Sequence, residues 1–344
     1  MSKKIGLMGC GNVATYGHLP AIRDTAGLEL HAIYDPDASR ARDLASPNRF
    51  NVRHACHTEE SFFASGIDAV AITSPAPAHE ANVLAAAKHG LPILCEKPLA
   101  MSTEQGQRMI EATDAAGVPL YVAFCYRFSP SALKIKDLVA EGAIGDVRSL
   151  RLIYNWDCHG KYNYRDPAQG IAPHRHGRML EGGPMVDCGT HQIDLAQWWL
   201  GSPVVNATGH GAWADDYDAP DHVYAHLDHD NGAHTMVEIS YGFGHTMKDP
   251  ESLFLYQLIG TEGVITYDRN IGRFELRNTE GTQTLKYHHE KDFGGMYRAY
   301  AQALETGTAG NLPTAAEGLR VTDLAVEVTE QVIAGRQGSA VTGS

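Results

Sequence analysis

The chain lacks any long apolar run. Its hydrophobic stretches are strand-length and interrupted, well short of the roughly 20 residues that a membrane-spanning helix needs. It is also short of positive charge, with 28 lysines and arginines against 41 acidic residues and a formal net charge of −13. That balance argues against broad electrostatic attachment to nucleic acid or to an anionic membrane. The six cysteines (Cys10, Cys56, Cys95, Cys125, Cys158 and Cys188) show no CxxC spacing, which speaks against a disulfide framework or a zinc ribbon and fits reduced thiols. Met1 to Lys4 lead straight into an apolar strand without a secretory h-region, so a cytoplasmic location is expected. No internal repeat or low-complexity stretch interrupts the sequence.

What is present is the composition of a folded protein. The 344 residues are 43% hydrophobic and 20% charged, enough for two domains. Up to residue 124, short apolar strands alternate with helices: Lys4–Cys10, Leu28–Asp35, Asp68–Ser74, Pro92–Glu96 and Pro119–Phe124 read as strands, Glu80–His89 and Thr103–Ala116 as helices. Strands apolar on both faces belong to a parallel sheet covered on both sides. From Val147 the pattern changes to alternating, β-branched and aromatic strands: Val147–Tyr154, Val204–Trp213, Val223–Asp228, Ala233–Tyr241, Ser252–Ile259, Val264–Asp268, Arg273–Asn278 and Thr282–Tyr287. Turn signals such as Asp230-Asn231-Gly232 join them into an antiparallel sheet, interrupted by a helix around Gly189–Leu200. Two helices, near Gly295–Glu305 and Thr314–Ala334, close the chain.

The first strand runs into Gly9-Cys10-Gly11-Asn12-Val13-Ala14, a GxGxxA form of the dinucleotide fingerprint. Gly9 and Gly11 allow a tight turn and close backbone approach to a pyrophosphate, Asn12 and Val13 open the helix, and Ala14 lets that helix pack on the sheet. Asp35, 24 residues after Gly11, ends the second strand where an acid can accept hydrogen bonds from the adenosine ribose. Pro36 and Asp37 follow it, poor company for a 2′-phosphate, so NAD is favoured over NADP; Arg40 is the one nearby cation that points the other way. The expected fold class is α/β plus α+β. A doubly wound Rossmann domain at 1–124 precedes a domain at 125–336 built on a large, mainly antiparallel, open-faced sheet. Its last helices have the option of packing back on the first domain, and 337–344 form a frayed tail.

Candidate reacting groups stand apart from the fingerprint. Glu96-Lys97-Pro98 places a lysine at the carboxyl edge of the sheet, where it could hold charge developing on a reacting oxygen. Asp187 and His191 lie one helical turn apart, a carboxylate and a candidate general base. With 18 histidines in the chain, spacing alone does not single out His191.

Together these segments resemble the glucose–fructose oxidoreductase, inositol dehydrogenase and rhizopine-catabolism family (Gfo/Idh/MocA). The matching pieces are Gly9–Ala14, Ser74-Pro75 with His79, Cys95–Leu99, Tyr126–Pro130 and Asp187–Asp194, spread over nearly the whole chain. The resemblance implies Lys97, Asp187 and His191 as the catalytic set, with His191 taking a hydroxyl proton. It implies that Ser74, Pro75, His79, Glu96, Lys97 and Arg127 border the nicotinamide half of the cofactor and that Tyr126 meets the substrate. Ala76 departs from the family pattern, where asparagine is usual.

The stretch 155–178 is expected to roof the pocket. Trp156 and Tyr164 offer stacking faces for a sugar ring, and Lys161, Arg165, Arg175 and Arg178 with His174 outweigh Asp157 and Asp166. Part of this cluster is read as a site for an anionic substrate group; the bland alternative is an interface or solvated face. Cys158, His159, His174 and His176 have metal-binding chemistry but no ordinary spacing, so no metal is expected. The leading reading is NAD-dependent oxidation of a secondary hydroxyl of a sugar or cyclitol. Two alternatives stand beside it: a redox-neutral glycosidase acting through transient ring oxidation, separable because it accumulates no NADH, and a non-catalytic NAD- or sugar-binding regulator. A homodimer or homotetramer formed through the second domain's sheet is expected, because its open face would otherwise leave apolar surface bare.

Overall fold

The computed structural model describes residues 2–158, 173–243, 247–249 and 251–341, with backbone alone at 173–176 and 337–341. The chain divides into two units, Met1–Phe128 with Lys291–Arg320 and Ser129–Glu290 with Val321–Ser344. The division follows Phe128 rather than residue 124, and the segment 291–320 joins the first unit. Contacts explain both. The Cys125 carbonyl accepts from the Asp292 amide at 3.4 Å, and the Tyr300 hydroxyl donates to the Pro92 carbonyl at 3.0 Å.

In the first unit β1 (Lys3–Met8), β2 (Leu28–Tyr34), β3 (His54–Cys56), β4 (Ala69–Ile72), β5 (Ile93–Cys95) and β6 (Leu120–Val122) form a parallel sheet in the order β3-β2-β1-β4-β5-β6. Its interior is the apolar set expected of a sheet covered on both faces, Ala69 to Ile72 being fully buried. The three-residue β3 was not anticipated; unlike the equally short β5 and β6, which are fully buried, it is partly exposed, and His54-Ala55-Cys56 forms no apolar run. Strand order reverses between β1 and β4, which puts the loops after them, at Gly9 and Ser74, at the switch point where open α/β sheets take ligands. The helix Thr103–Ala116 runs over its expected span. The Ser102 side chain accepts from the Gln105 amide at its start, and Gly117 ends it at φ +65°.

In the second unit β7 (Val147–Asn155), β8 (Val204–Ala212), β9 (His222–His229), β10 (His234–Ser240), β11 (Leu253–Gly260), β12 (Gly263–Asp268), β13 (Arg273–Asn278) and β14 (Gly281–Thr284) form one sheet in the order β14-β13-β12-β11-β7-β10-β9-β8. Every pair is antiparallel except β7 with β10, which lie parallel. β14 stops at Thr284 rather than Tyr287. One face packs on helices: Phe254, Tyr256 and Leu258 are buried, and Trp199 of the helix Thr190–Leu200 meets Tyr256 edge-on while its indole N–H donates to the Ala132 carbonyl at 3.0 Å. The alternate residues Leu253, Leu255 and Ile259 are half-exposed on the other face. The last helix, Ala315–Val341, continues past residue 337, where a frayed tail was expected; 342–344 lie outside the described residues. Among the described residues no helix is long and apolar enough to cross a membrane.

Candidate active site

The first unit carries the glycine loop. Gly9 turns the chain away from β1 at φ +100°, a conformation that side chains rarely tolerate, and a Cβ there would lie 2.5 Å from the Ser74 nitrogen. The loop therefore lies hard against the end of β4. Gly11 is the opposite case: an added Cβ would meet nothing within 4 Å, so its backbone faces open space. Asn12 and Val13 begin the helical segment that continues through a π-helical turn, Ala14–His18, into the helix Leu19–Asp24. Asp35 is buried at the end of β2. Its Oδ2 accepts from the Cys10 amide at 2.8 Å and its Oδ1 from the Asp37 amide at 2.9 Å, so each oxygen keeps acceptor capacity for a ribose hydroxyl. Arg40 sits 3.5 Å from Asp37, and both are exposed. Burial, reinforced by Asp35, pushes the Cys10 thiol up to about 12 and leaves it unreactive. These residues fit a dinucleotide: one glycine closes the turn, the other leaves room, and a fixed acid at the end of β2 keeps lone pairs that a ribose could use.

Behind the loop runs a buried polar chain. His18 Nδ1 and the Tyr297 hydroxyl are 2.7 Å apart, His18 Nε2 and Glu96 Oε1 are 2.7 Å apart, and Glu96 Oε2 accepts from the Lys97 amide at 3.1 Å. Burial alone would raise the Glu96 carboxyl; the hydrogen bond and charge of His18, with Lys97, outweigh it and hold it below the ordinary range. His79 is buried, with Nε2 facing the Ser74 carbonyl and Nδ1 the Pro98 carbonyl, both at 2.9 Å. It thus ties the loop after β4 to the loop after β5, while burial keeps its pKa low against the pull of those carbonyls. Ser74 Oγ accepts from the Asn82 amide at 2.8 Å, Pro75 is exposed and Lys97 is half-buried. Arg127 is buried, its guanidinium 3.4 Å from Glu317, which also caps the last helix by accepting from the Thr314 amide at 2.8 Å. Tyr126 is buried in the same turn.

The second unit carries Asp187 and His191. Asp187 lies in a π-helical turn, Met185–Gly189, that runs directly into the helix Thr190–Leu200 bearing His191, and both side chains are buried. Asp187 Oδ2 accepts from the Arg178 guanidinium and from the Tyr241 hydroxyl, with the Cys188 thiol 3.7 Å away. Burial works against the Arg178 charge, but the Asp187 carboxylate more than compensates. Tyr241 is pushed up by burial and then by Asp187, so it remains a protonated donor. Trp156 stacks on Tyr154 at 5.7 Å and meets the Tyr241 ring edge-on at 5.9 Å. The structure therefore brings Trp156, Arg178, Tyr241 and Asp187 into one cluster. Arg178, one of the cluster of cations expected to include a site for a substrate anion, donates to a carboxylate of its own chain. Tyr164 and Arg165 lie outside the described residues, as do the side chains of His174 and Arg175. Tyr241, His18 and Tyr297 were missed by sequence reasoning, since no spacing links them to their partners.

Residues 3–124 match the model of an oxidoreductase family with an NAD-binding Rossmann fold, and residues 132–266 match the GFO/IDH/MocA C-terminal domain. The chain belongs to the Gfo/Idh/MocA oxidoreductase family. Among its Gfo/Idh/MocA relatives, inositol 2-dehydrogenase 2 of Saccharopolyspora erythraea is 29% identical over 272 residues, 77% of this chain and 73% of that protein. D-apiose dehydrogenase of Paraburkholderia graminis is 27% identical over 285 residues, 82% of this chain and 71% of that one. A crystal structure of an oxidoreductase from Agrobacterium radiobacter, in complex with NAD+, L-tartaric acid and magnesium, matches with a TM-score of 0.82 at 23% identity over 98% of both chains. The expected family, its NAD-binding Rossmann domain and the second, mostly antiparallel sheet are borne out.

Two predictions follow from these buried carboxylates. The folded pKa of Glu96 lies below its unfolded value of about 4.3. Its stabilisation is therefore complete above that pH and is lost as pH falls through the depressed value. His18→Phe removes the donor and lets burial prevail, so the acid-unfolding midpoint, read by far-UV circular dichroism, moves to higher pH. An unmoved midpoint would show that the contact adds no stability. Separately, Arg178→Met leaves Asp187 buried without its cation and costs about 3 kcal/mol in urea unfolding, the low end for a buried pair because Arg178 is 24% exposed. Adding Asp187→Asn recovers part of that loss; strictly additive losses would rule out the coupling.

Proposed function

We propose that this protein is an NAD-dependent dehydrogenase acting on a secondary hydroxyl of a sugar, sugar acid or cyclitol. The observation that carries the reading is the loop at Gly9 and Gly11 set against the fixed carboxylate of Asp35. The named activities of the inositol and apiose dehydrogenases supply the substrate class. Asp35, followed by Pro36 and Asp37, favours NAD over NADP, and the Arg40 contact with Asp37 agrees with it.

Bound NAD supplies the hydride acceptor. His191 takes the hydroxyl proton as the carbinol C–H bond gives up its hydrogen with the electron pair and C–O becomes C=O. The Lys97 ammonium holds the charge that develops on oxygen, and Asp187 sets the local field in the turn leading to His191. Trp156 and Tyr164 stack on the ring, and Arg165 and Arg175 remain the candidates for an anionic substituent now that Arg178 is matched by Asp187. The protein is read as cytoplasmic and as a homodimer or homotetramer. The half-exposed ridge of Leu253, Leu255 and Ile259, on the sheet face away from Trp199, supports assembly through that face.

The test is a panel of pyranoses, uronates and cyclitols with NAD, followed at the NADH absorbance. One of them should yield NADH in step with substrate consumed, and His191→Asn should lower turnover by at least about 100-fold while NAD still binds. Substrate cleavage without NADH would replace the dehydrogenase reading with the redox-neutral one. Full turnover in His191→Asn would remove the assigned base.

A further inference from the structure

The hairpin of β9 and β10 carries a second cluster with ligand chemistry, on the face away from Tyr241. Along β9 the buried residues Val223, Ala225, Leu227 and His229 point one way, and in β10 Thr235, Val237 and Ile239 do the same. His226 and Asp228 alternate with the β9 series and share the opposite face, and His234 lies directly across from Asp228 in the antiparallel register. His234 Nδ1 is 2.8 Å from Asp228 Oδ1, and His226 Nε2 is 3.9 Å from the same oxygen. The two imidazoles lie nearly parallel, 16° apart with centroids at 5.3 Å. One ligand atom from each of the three residues falls within 4.8 Å of the others.

Those separations are the ones a small cation needs. Bonds of about 2.0–2.1 Å to nitrogen and oxygen in a tetrahedral shell put ligand atoms about 3.3 Å apart. The observed spacing brackets that figure, so small side-chain rotations suffice. The second oxygen of Asp228 already accepts from the Asn206 amide at 2.9 Å, the kind of outer contact that fixes a ligating carboxylate. Hydrogen bonds from Asn206 and His234 also keep that carboxyl below its ordinary range. The residues directly opposite in the flanking strands are uncharged: Asn206 and Thr208 in β8, Ser149 in β7. Both histidines are 55% exposed, so an ion reaches them from solvent.

We propose that His226, Asp228 and His234 form a site for a divalent transition-metal ion, Zn2+ by ligand type, that clips β9 to β10. Two imidazoles and one carboxylate suit zinc, and a hard oxygen-seeking ion such as Mg2+ does not match them. The remaining coordination positions face water. The site departs from the expectation of no metal, since 226, 228 and 234 form no familiar spacing in sequence and meet only through the hairpin.

Calorimetric titration of the chelator-treated full chain with ZnCl2 should show one ion bound per chain and a Tm that rises with zinc, whereas MgCl2 gives neither. His226→Ala and His234→Ala should each weaken zinc binding at least about tenfold and abolish the Tm rise. Asp228→Asn, which keeps the side-chain shape, should do the same. His210→Ala removes an exposed histidine of β8 outside the trio and should change nothing. NADH production should stay unaltered in all four. Zinc binding that survives intact in both histidine variants, or no zinc binding by the parent chain, overturns the proposal.

Discussion

A carboxylate taken out of water has to be given donors, and the candidate site of this chain is built around three that are. Asp35, Glu96 and Asp187 are each buried, and each is satisfied by a different means. Asp35 is held by the backbone, through the amides of Cys10 and Asp37. The acid and the glycine loop therefore fix one another: without Asp35 the Cys10 amide loses its partner, and without Gly9 the loop could not sit against Ser74. Glu96 is held by His18, and Asp187 by Arg178 and Tyr241. Removing any one donor leaves the charge in place and the cost unpaired, which makes these contacts more consequential than the exposed ion pairs elsewhere.

The three cases differ in what they do to the proposed reacting residues beside them. Glu96 Oε2 accepts from the Lys97 amide, so the chain Tyr297–His18–Glu96 fixes the backbone from which the lysine departs. His79 binds the next carbonyl along, at Pro98, and holds it to the Ser74 loop. Lys97 thus starts from a backbone fastened at two points, while its own side chain is half-buried. Asp187 is fastened through its side chain, in a π-helical turn whose wider winding precedes the helix of His191. The first arrangement sets where a residue begins and the second sets what field it contributes.

Legibility in the sequence follows the same division. Asp35 could be read because a known spacing ties it to the glycine loop: a strand end, a glycine loop and a turn are all marked by residue type. The helix Thr103–Ala116 was legible at both ends, since Ser102 and Gly117 act within a turn of themselves. His18 lies 78 residues from Glu96 and 279 from Tyr297, and no period or spacing encodes such a meeting. Strand β3 failed for a different reason: it carries no continuous apolar run, which the equally short β5 and β6 do. The parallel pairing of β7 with β10 is likewise invisible to a pattern that reports burial and not direction.

Arg178 shows the limit of counting charge along a segment. Residues 155–178 read as a basic island in an acidic chain, and a basic island suggests an anion. The anion that Arg178 meets is Asp187, nine positions on, which the segment's boundary had excluded from the count. Histidine misleads in the same way, because one residue type serves as core donor, loop tie and surface ligand. His18 and His79 are spent on internal partners; His229 is too, its ring nitrogens facing the Ser202 carbonyl and the Thr235 hydroxyl. His226 and His234 stand three and five residues from His229 on the same hairpin, yet they face water with a carboxylate between them. What separates these fates is strand parity and the identity of the opposite residue. Composition carries neither, and the register of β9 against β10 carries both.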